Sequence, residues 1–201
     1  MQKESNSNHM TELEKIEEQI KICQKCVLFE KRTHAVPGSG NPNADLMFVG
    51  EGPGKNEDEQ GLPFVGQAGK FLEEMLNTIG MKREDVFITN VVKCRPPENR
   101  DPLPEEVQTC SGTYLYAQIK IIKPKLIITL GRHAMEFFIP GRYISEIHGQ
   151  PKRLINEKTG EKQTYLPLYH PAAALYNGGL RETLIKDFKK IPKILEKIDT
   201  L

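Results

Sequence analysis

Leu46-Met-Phe-Val-Gly50-Glu-Gly-Pro-Gly-Lys-Asn-Glu-Asp-Glu-Gln-Gly-Leu-Pro-Phe-Val-Gly66 decides how this chain is read. Its apolar start reads as a buried strand, within Asp45–Val49. After Gly66 the apolar spacing of Ala68 to Ile79 reads as a helix. The stretch between is therefore a long, glycine-punctuated loop at the carboxyl end of a strand, where open α/β sheets bind ligands. Glu51 stands at the strand tip, and Phe64 is an aromatic that a mostly polar loop does not otherwise need. The loop lacks GxxxxGK[ST], and its glycines do not form GxGxxG in the right place, so neither phosphate-binding signature is supported.

Working outward, apolar runs and turn signals alternate. Helices are expected at Thr11–Lys21, Pro104–Ile122, Arg132–Phe138 and Leu180–Ile198. Further strands are expected at Val86–Val92, Leu126–Leu130 and Thr164–Tyr169. A hairpin is expected over Ile144–Ile155, followed by an Asn156–Gly160 turn. This βαβα order predicts a parallel sheet with helices on both faces. Residues 1–10 read as a disordered segment and residues 11–201 as one domain. Three strand ends carry polar chemistry: Gly50-Glu51, Thr89-Asn90 and Tyr169-His170. The fourth, Gly131-Arg132-His133, reads as a plain helix entry.

The formal net charge is +1, so a nucleic-acid footprint would have to be local rather than a polybasic coat. No apolar run has the length of a membrane span and no signal peptide is visible, which predicts a cytoplasmic protein with no membrane contact. In that reducing compartment, four cysteines spaced as Cys23-x2-Cys26, Cys94 and Cys110 point to a metal centre rather than disulfides. Four thiolates suit zinc or an iron–sulfur cluster alike.

Together these residues resemble the family 4 uracil-DNA glycosylases, the iron–sulfur type of bacteria and archaea. The carriers are Cys23-x2-Cys26, Gly50-Glu-Gly-Pro-Gly54, Pro63-Phe-Val-Gly66, Thr89-Asn-Val-Val-Lys-Cys-Arg-Pro-Pro97, Cys110 and His170-Pro-Ala-Ala173, and the likeness runs from about Ile22 to Leu195. The resemblance implies a three-layer α/β/α sandwich around a four-stranded parallel sheet. It also implies one [4Fe–4S] cluster on the four cysteines, and excision of uracil from single- or double-stranded DNA.

By the same resemblance, Phe64 stacks on the flipped base and Asn90 reads its Watson–Crick edge. Gly52 contributes a backbone N–H, and His170 donates to uracil O2 as charge develops there. Other uracil glycosylases place an aspartate base where this chain has Gly52. Glu51 is the nearest carboxylate for the attacking water, with Asn99 a further candidate. A tyrosine that excludes thymine in related enzymes aligns with Gly54, and the resemblance puts Glu57 in that space. The relatives' wedge leucine falls at Ala174, which leaves Leu175 or Tyr176 for the role.

Lys93, Arg95, Arg100 and Arg181 flank these loops and are read as phosphate contacts. The segment Pro97–Pro102 lacks the histidine insertion of a covalently trapping branch, which favours turnover. A nucleoid-associated monomer is expected. A sliding-clamp partner is open for archaeal relatives, though the chain shows no motif for it. The competing readings are a non-catalytic Fe–S or zinc DNA-binding module on the same fold, and an electron carrier. Ferredoxin-type carriers hold their cysteines in much tighter runs.

Overall fold

Strand β2 (Leu46–Gly50) is buried from end to end. A strand with no polar alternation is stable only with both faces covered, as in a parallel sheet flanked by helices. In the computed structural model, which describes residues 2–155 and 162–199, β2 lies between two parallel neighbours, β3 (Phe87–Asn90) and β4 (Leu126–Leu130). β6 (Lys162–Leu168) continues the parallel set beyond β4. These four are the sheet expected from sequence. Two short antiparallel strands extend it to six: β1 (Ser39–Gly40) on β3 and β5 (Lys152–Ile155) on β6, in the order β1-β3-β2-β4-β6-β5.

The period-two alternation of the strands assigns their side chains to two cores. Met47, Val49, Phe87, Ile127 and Tyr165 face one layer. There they meet α1 (Gln2–Lys21), α5 (Tyr116–Ile122) and α6 (Arg132–Phe138). Leu46, Phe48, Ile88, Ile128, Leu166 and Leu168 face the other. That layer is built from α3 (Gln67–Asn77), α9 (Gly178–Phe188) and α10 (Ile191–Asp199). The result is an α/β/α sandwich. Among the described residues no helix is long and apolar enough to cross a membrane.

Several boundaries differ from the expected ones. The first helix begins at Gln2 rather than Thr11. The helix expected over Leu180–Ile198 is two helices, α9 and α10. Pro192 in the first turn of α10 has no N–H and its ring would clash with the carbonyl of Phe188, so a single helix cannot run through. The hairpin expected over Ile144–Ile155 is instead β5 paired with β6, while Ile144–Ile147 form a short helix, α7. The expected Asn156–Gly160 turn lies outside the described residues. The span Pro104–Ile122 is helical throughout, but α4 (Pro104–Cys110) and α5 are joined by a five-residue π-helical segment, Ser111–Leu115. The polar loop after β2 also contains a helix of its own, α2 (Lys55–Gln60).

Candidate active site

Because β2, β3, β4 and β6 are parallel, their carboxyl ends share one edge. Gly50 and Asn90 are register partners at the tips of β2 and β3, and β6 ends two residues before His170. The loops leaving these strands enclose a cavity of about 410 Å³ whose wall includes Glu51, Gly52, Glu57, Phe64, Asn90, Asn99 and His170. All seven residues expected to act on or bind the base thus line one cavity. Gly50 makes this convergence possible. A Cβ there would fall 2.4 Å from Asn90 Oδ1 and 2.8 Å from Phe64 Cζ, so any side chain would push the amide and the ring apart.

Asn90 is 2 % exposed, and among the described residues its side-chain amide has no protein partner. A buried amide with two donors and an acceptor facing a cavity is built for a ligand edge that completes them. His170 is more committed. Its Nδ1 accepts the Ala172 N–H at 3.1 Å, so the neutral ring carries its proton on Nε2 and keeps that N–H as its donor. Burial lowers its pKa to about 4, against the opposing pull of Glu57. The ring is therefore neutral through ordinary pH. It lies with its centroid 5.6 Å from that of Phe64, at 28° between planes.

Glu51 is half-buried, and burial raises its carboxyl above the usual range against the pull of His133. His133 Nε2 lies 3.8 Å from Glu51 Oε2 and 3.2 Å from Asp101 Oδ2. Arg132 Nη2 reaches the same Asp101 oxygen at 3.2 Å. Glu51 also borders a second cavity, of about 260 Å³, which His133 helps to line. Gly131-Arg132-His133 is therefore not a plain helix entry. The signal that could have found His133 is its position: it follows the tip of β4 as Glu51 follows the tip of β2.

Asn99 and Glu98 both sit in the left-handed backbone region, with φ of 56° and 55°. Arg95 Nε donates to Asn99 Oδ1 at 2.8 Å. With its oxygen engaged, the Asn99 amide can hold a water by donating to it, but it has no basic atom to take a proton. Glu51, on the same wall, is a carboxylate that can. Glu57 does not belong to a solvated acidic run. Its Oε1 accepts the backbone N–H groups of Val65 and Gly66 at 2.9 and 3.0 Å, while its neighbour Asp58 is buried and accepts the Thr33 N–H.

The residues expected to face DNA fare unevenly. Lys93 cannot be a phosphate contact, because it is 1 % exposed. Its Nζ bonds Gln118 Oε1 at 2.7 Å, the Asn90 carbonyl at 2.8 Å and the Thr89 hydroxyl. Gln118 and Thr89 in turn donate to the Pro37 carbonyl. Ala174 is buried at 4 % and cannot wedge into a base stack, whereas Leu175 and Tyr176 are exposed at 38 % and 93 %. Arg181 is paired with Glu74 and lies 4.1 Å above the Phe71 ring. Arg100 forms a two-bonded pair with Glu106 while touching the cavity rim. Both arginines are already engaged within the protein.

Cys23, Cys26, Cys94 and Cys110 converge from three segments on one small cavity, shared with Ile20, Lys25, Lys93, Thr109 and Tyr114. Arg32 Nη1 donates to Cys94 Sγ at 3.1 Å and the Lys93 backbone N–H donates to Cys110 Sγ at 3.2 Å. Burial raises the thiols of Cys26, Cys94 and Cys110, the last to about 12. Four sulfur donors, with N–H groups aimed at two of them and burial that disfavours free thiolates, fit a soft, cationic metal core. A hard cation held by oxygen would find no such ligands here.

Residues 37–198 match the Uracil DNA glycosylase superfamily. The chain is similar to a Type-4 uracil-DNA glycosylase of Sulfurisphaera tokodaii, at 52 % identity over 189 residues, which covers 92 % of this chain and 86 % of that protein. A Type-4 uracil-DNA glycosylase of Archaeoglobus fulgidus is 48 % identical over 193 residues, covering 94 % and 96 %. One from Thermotoga maritima is 44 % identical over 189 residues, covering 92 % and 95 %.

Proposed function

The chain belongs to the uracil DNA glycosylase superfamily, and we propose that it is a DNA repair enzyme that hydrolyses the N-glycosidic bond of uracil in DNA and leaves an abasic site. The observation that carries this reading at the level of the site is the single cavity shared by Glu51, Phe64, Asn90 and His170. Its substrate must be a nucleotide turned out of the base stack, since the cavity lies within the protein wall.

In this reading the flipped base lies against Phe64. The Asn90 amide pairs with its O4 and N3–H, a pattern that cytosine reverses. A cytosine would leave buried polar groups unpaired, which is the strongest form of discrimination available to a binding site. As the C1′–N1 bond breaks, its electron pair passes to the base and negative charge gathers on O2. The Nε2–H of neutral His170 donates to that oxygen. A donor aimed at charge present mainly in the transition state is typically worth about 3 kcal/mol. Water adds to C1′ of the cationic sugar, held by the Asn99 amide, and gives its proton to the Glu51 carboxylate. The raised pKa of Glu51 suits a group that must accept a proton.

The four cysteines would hold one [4Fe–4S] cluster. When bound, the cluster supplies a cross-link between the end of α1, the loop after β3 and the end of α4. None of the residues around the four cysteines lines the cavity of the proposed chemistry. The cavity is complete within one chain, which supports action as a monomer on single- or double-stranded DNA.

Two oligonucleotides differing only in uracil or thymine at one position test the reading. Incubation with the protein followed by alkali should cleave the first strand and spare the second. The purified protein should be brown, with broad absorption at about 400 nm. A colourless protein that binds both strands without cleavage would support the non-catalytic module instead.

A further inference from the structure

We propose that Arg83, which lies outside the cavity, is a positioning residue that fixes the stacking face of Phe64. The inference rests on the functional reading above, in which Phe64 carries the base. Phe64 holds a backbone conformation that its side chain disfavours, with φ of 52°. Such a residue keeps its geometry only where its surroundings over-determine it. Three elements do so here.

Arg83, in the turn that leads into β3, spreads its guanidinium across two successive carbonyls. Nη1 donates to Phe64 O at 2.9 Å and Nη2 donates to Pro63 O at 2.6 Å. From the other side, the Glu57 carboxylate takes the next two amides, Val65 and Gly66. A cation on the carbonyls and an anion on the amides thus clamp four consecutive residues. The third element is α3, whose backbone presses on the same turn. A Cβ at Gly69 would fall 1.7 Å from Phe64 O, so only glycine lets the helix support the turn this closely.

Arg83 is absent from the cavity lining, so its effect on a bound base must pass through Phe64. The planar fork is essential to this role. A lysine ammonium at the end of a flexible stem keeps the charge but does not hold two adjacent carbonyls in one plane. Arg83→Lys should therefore release the ring while leaving the other residues of the cavity wall in place. Misplacing a positioning group by about 1 Å can cost about a hundredfold in rate.

The test is a double-mutant cycle on the metal-loaded protein, read as the single-turnover rate constant for uracil release at saturating protein. Arg83→Lys should lower that constant by about tenfold or more in the parent. In a Phe64→Ala background the same change should alter it less than about twofold, because the ring it positions is gone. Arg83→Gln, whose amide nitrogen falls where the arginine Nε stands and reaches neither carbonyl, should lose at least as much as the lysine variant. Added guanidinium ion should partly restore an Arg83→Ala variant, and methylammonium should not. Equal losses in both backgrounds, or a lowered melting temperature with an unchanged rate constant, would overturn the inference. An inert parent protein would instead remove the functional reading, and this inference with it.

Discussion

Lys93 Nζ lies 2.8 Å from the backbone carbonyl of Asn90, so a buried amine, its pKa lowered by burial to about 7, holds the strand end that carries the Asn90 amide, unpartnered among the described residues. Lys93→Met would remove the amine but leave the Asn90 carbonyl and the Gln118 amide oxygen without their donor. Stranding buried acceptors costs about 1–3 kcal/mol each, so the variant should melt at distinctly lower temperature. The salt dependence of its DNA affinity should match that of the parent. A loss of salt slope by about one phosphate contact would instead mean that Lys93 reaches DNA.

His170→Ala should lower the single-turnover rate on uracil-containing DNA by about a hundredfold to a thousandfold, with little change in DNA affinity. Comparable losses in rate and affinity would mean that His170 binds the ground state instead.

The pH dependence follows from the same ring. Its folded pKa of about 4 lies below the ordinary value of 6.5. Between these values the unfolded chain binds a proton that the folded ring refuses. Stability is therefore at its fullest above pH 6.5 and falls as pH drops toward 4. His170→Asn should flatten that part of the stability curve. The rate should show no inflection near 6.5, and its acid limb should report Glu51. Rate measurements across pH 4.5–8, paired with melts at the same pH values, check both statements.

Cys94 accepts a hydrogen bond from Arg32 while standing among the other three cysteines. Cys94→Ala should lose the brown colour and the yield of soluble protein together, because the proposed cluster would join the three segments that bring the four cysteines together. A colourless variant with parental thermal stability would show that the metal centre does not hold the fold.

Glu57 stands in two relationships at once, through Oε1 to the Val65–Gly66 amides and through Oε2 toward Gly54, where a Cβ would lie 2.9 Å away. Glu57→Ala should therefore admit slow thymine release and also reduce uracil release several-fold. Glu57→Gln, which keeps the acceptor and the bulk, should preserve uracil release. Base release from matched oligonucleotides separates the two effects. Full uracil activity in the alanine variant would mean that the strut is dispensable.

What the sequence determined by itself is the part of the protein written in local pattern. The unbroken apolar run at Leu46–Val49 requires a strand covered on both faces. The alternation of such runs with helical spacings requires parallel order. Parallel order then carries every strand end to one edge, which is why Glu51, Asn90 and His170 could be grouped before any coordinates. The break between α9 and α10 was also written there, in Pro192. The edge strand β1 was not legible, because two residues show no period, and β5 fell within the expected hairpin but its partner β6 did not.

Tertiary structure alone decided where the charges went. Lys93 is buried because the Gln118 amide oxygen, brought in from α5, joins the nearby Thr89 hydroxyl and Asn90 carbonyl in accepting from it. Arg83 reads as an ordinary surface cation until the turn at Pro63–Phe64 folds against it. His133 reads as a helix residue until Glu51 and Asp101 arrive from other loops. The physical reason is common to all three. Apolar burial follows from a residue's own spacing, whereas a buried or half-buried polar head is tolerated only when its set of partners is complete, and in each of these cases part of that set comes from a distant segment.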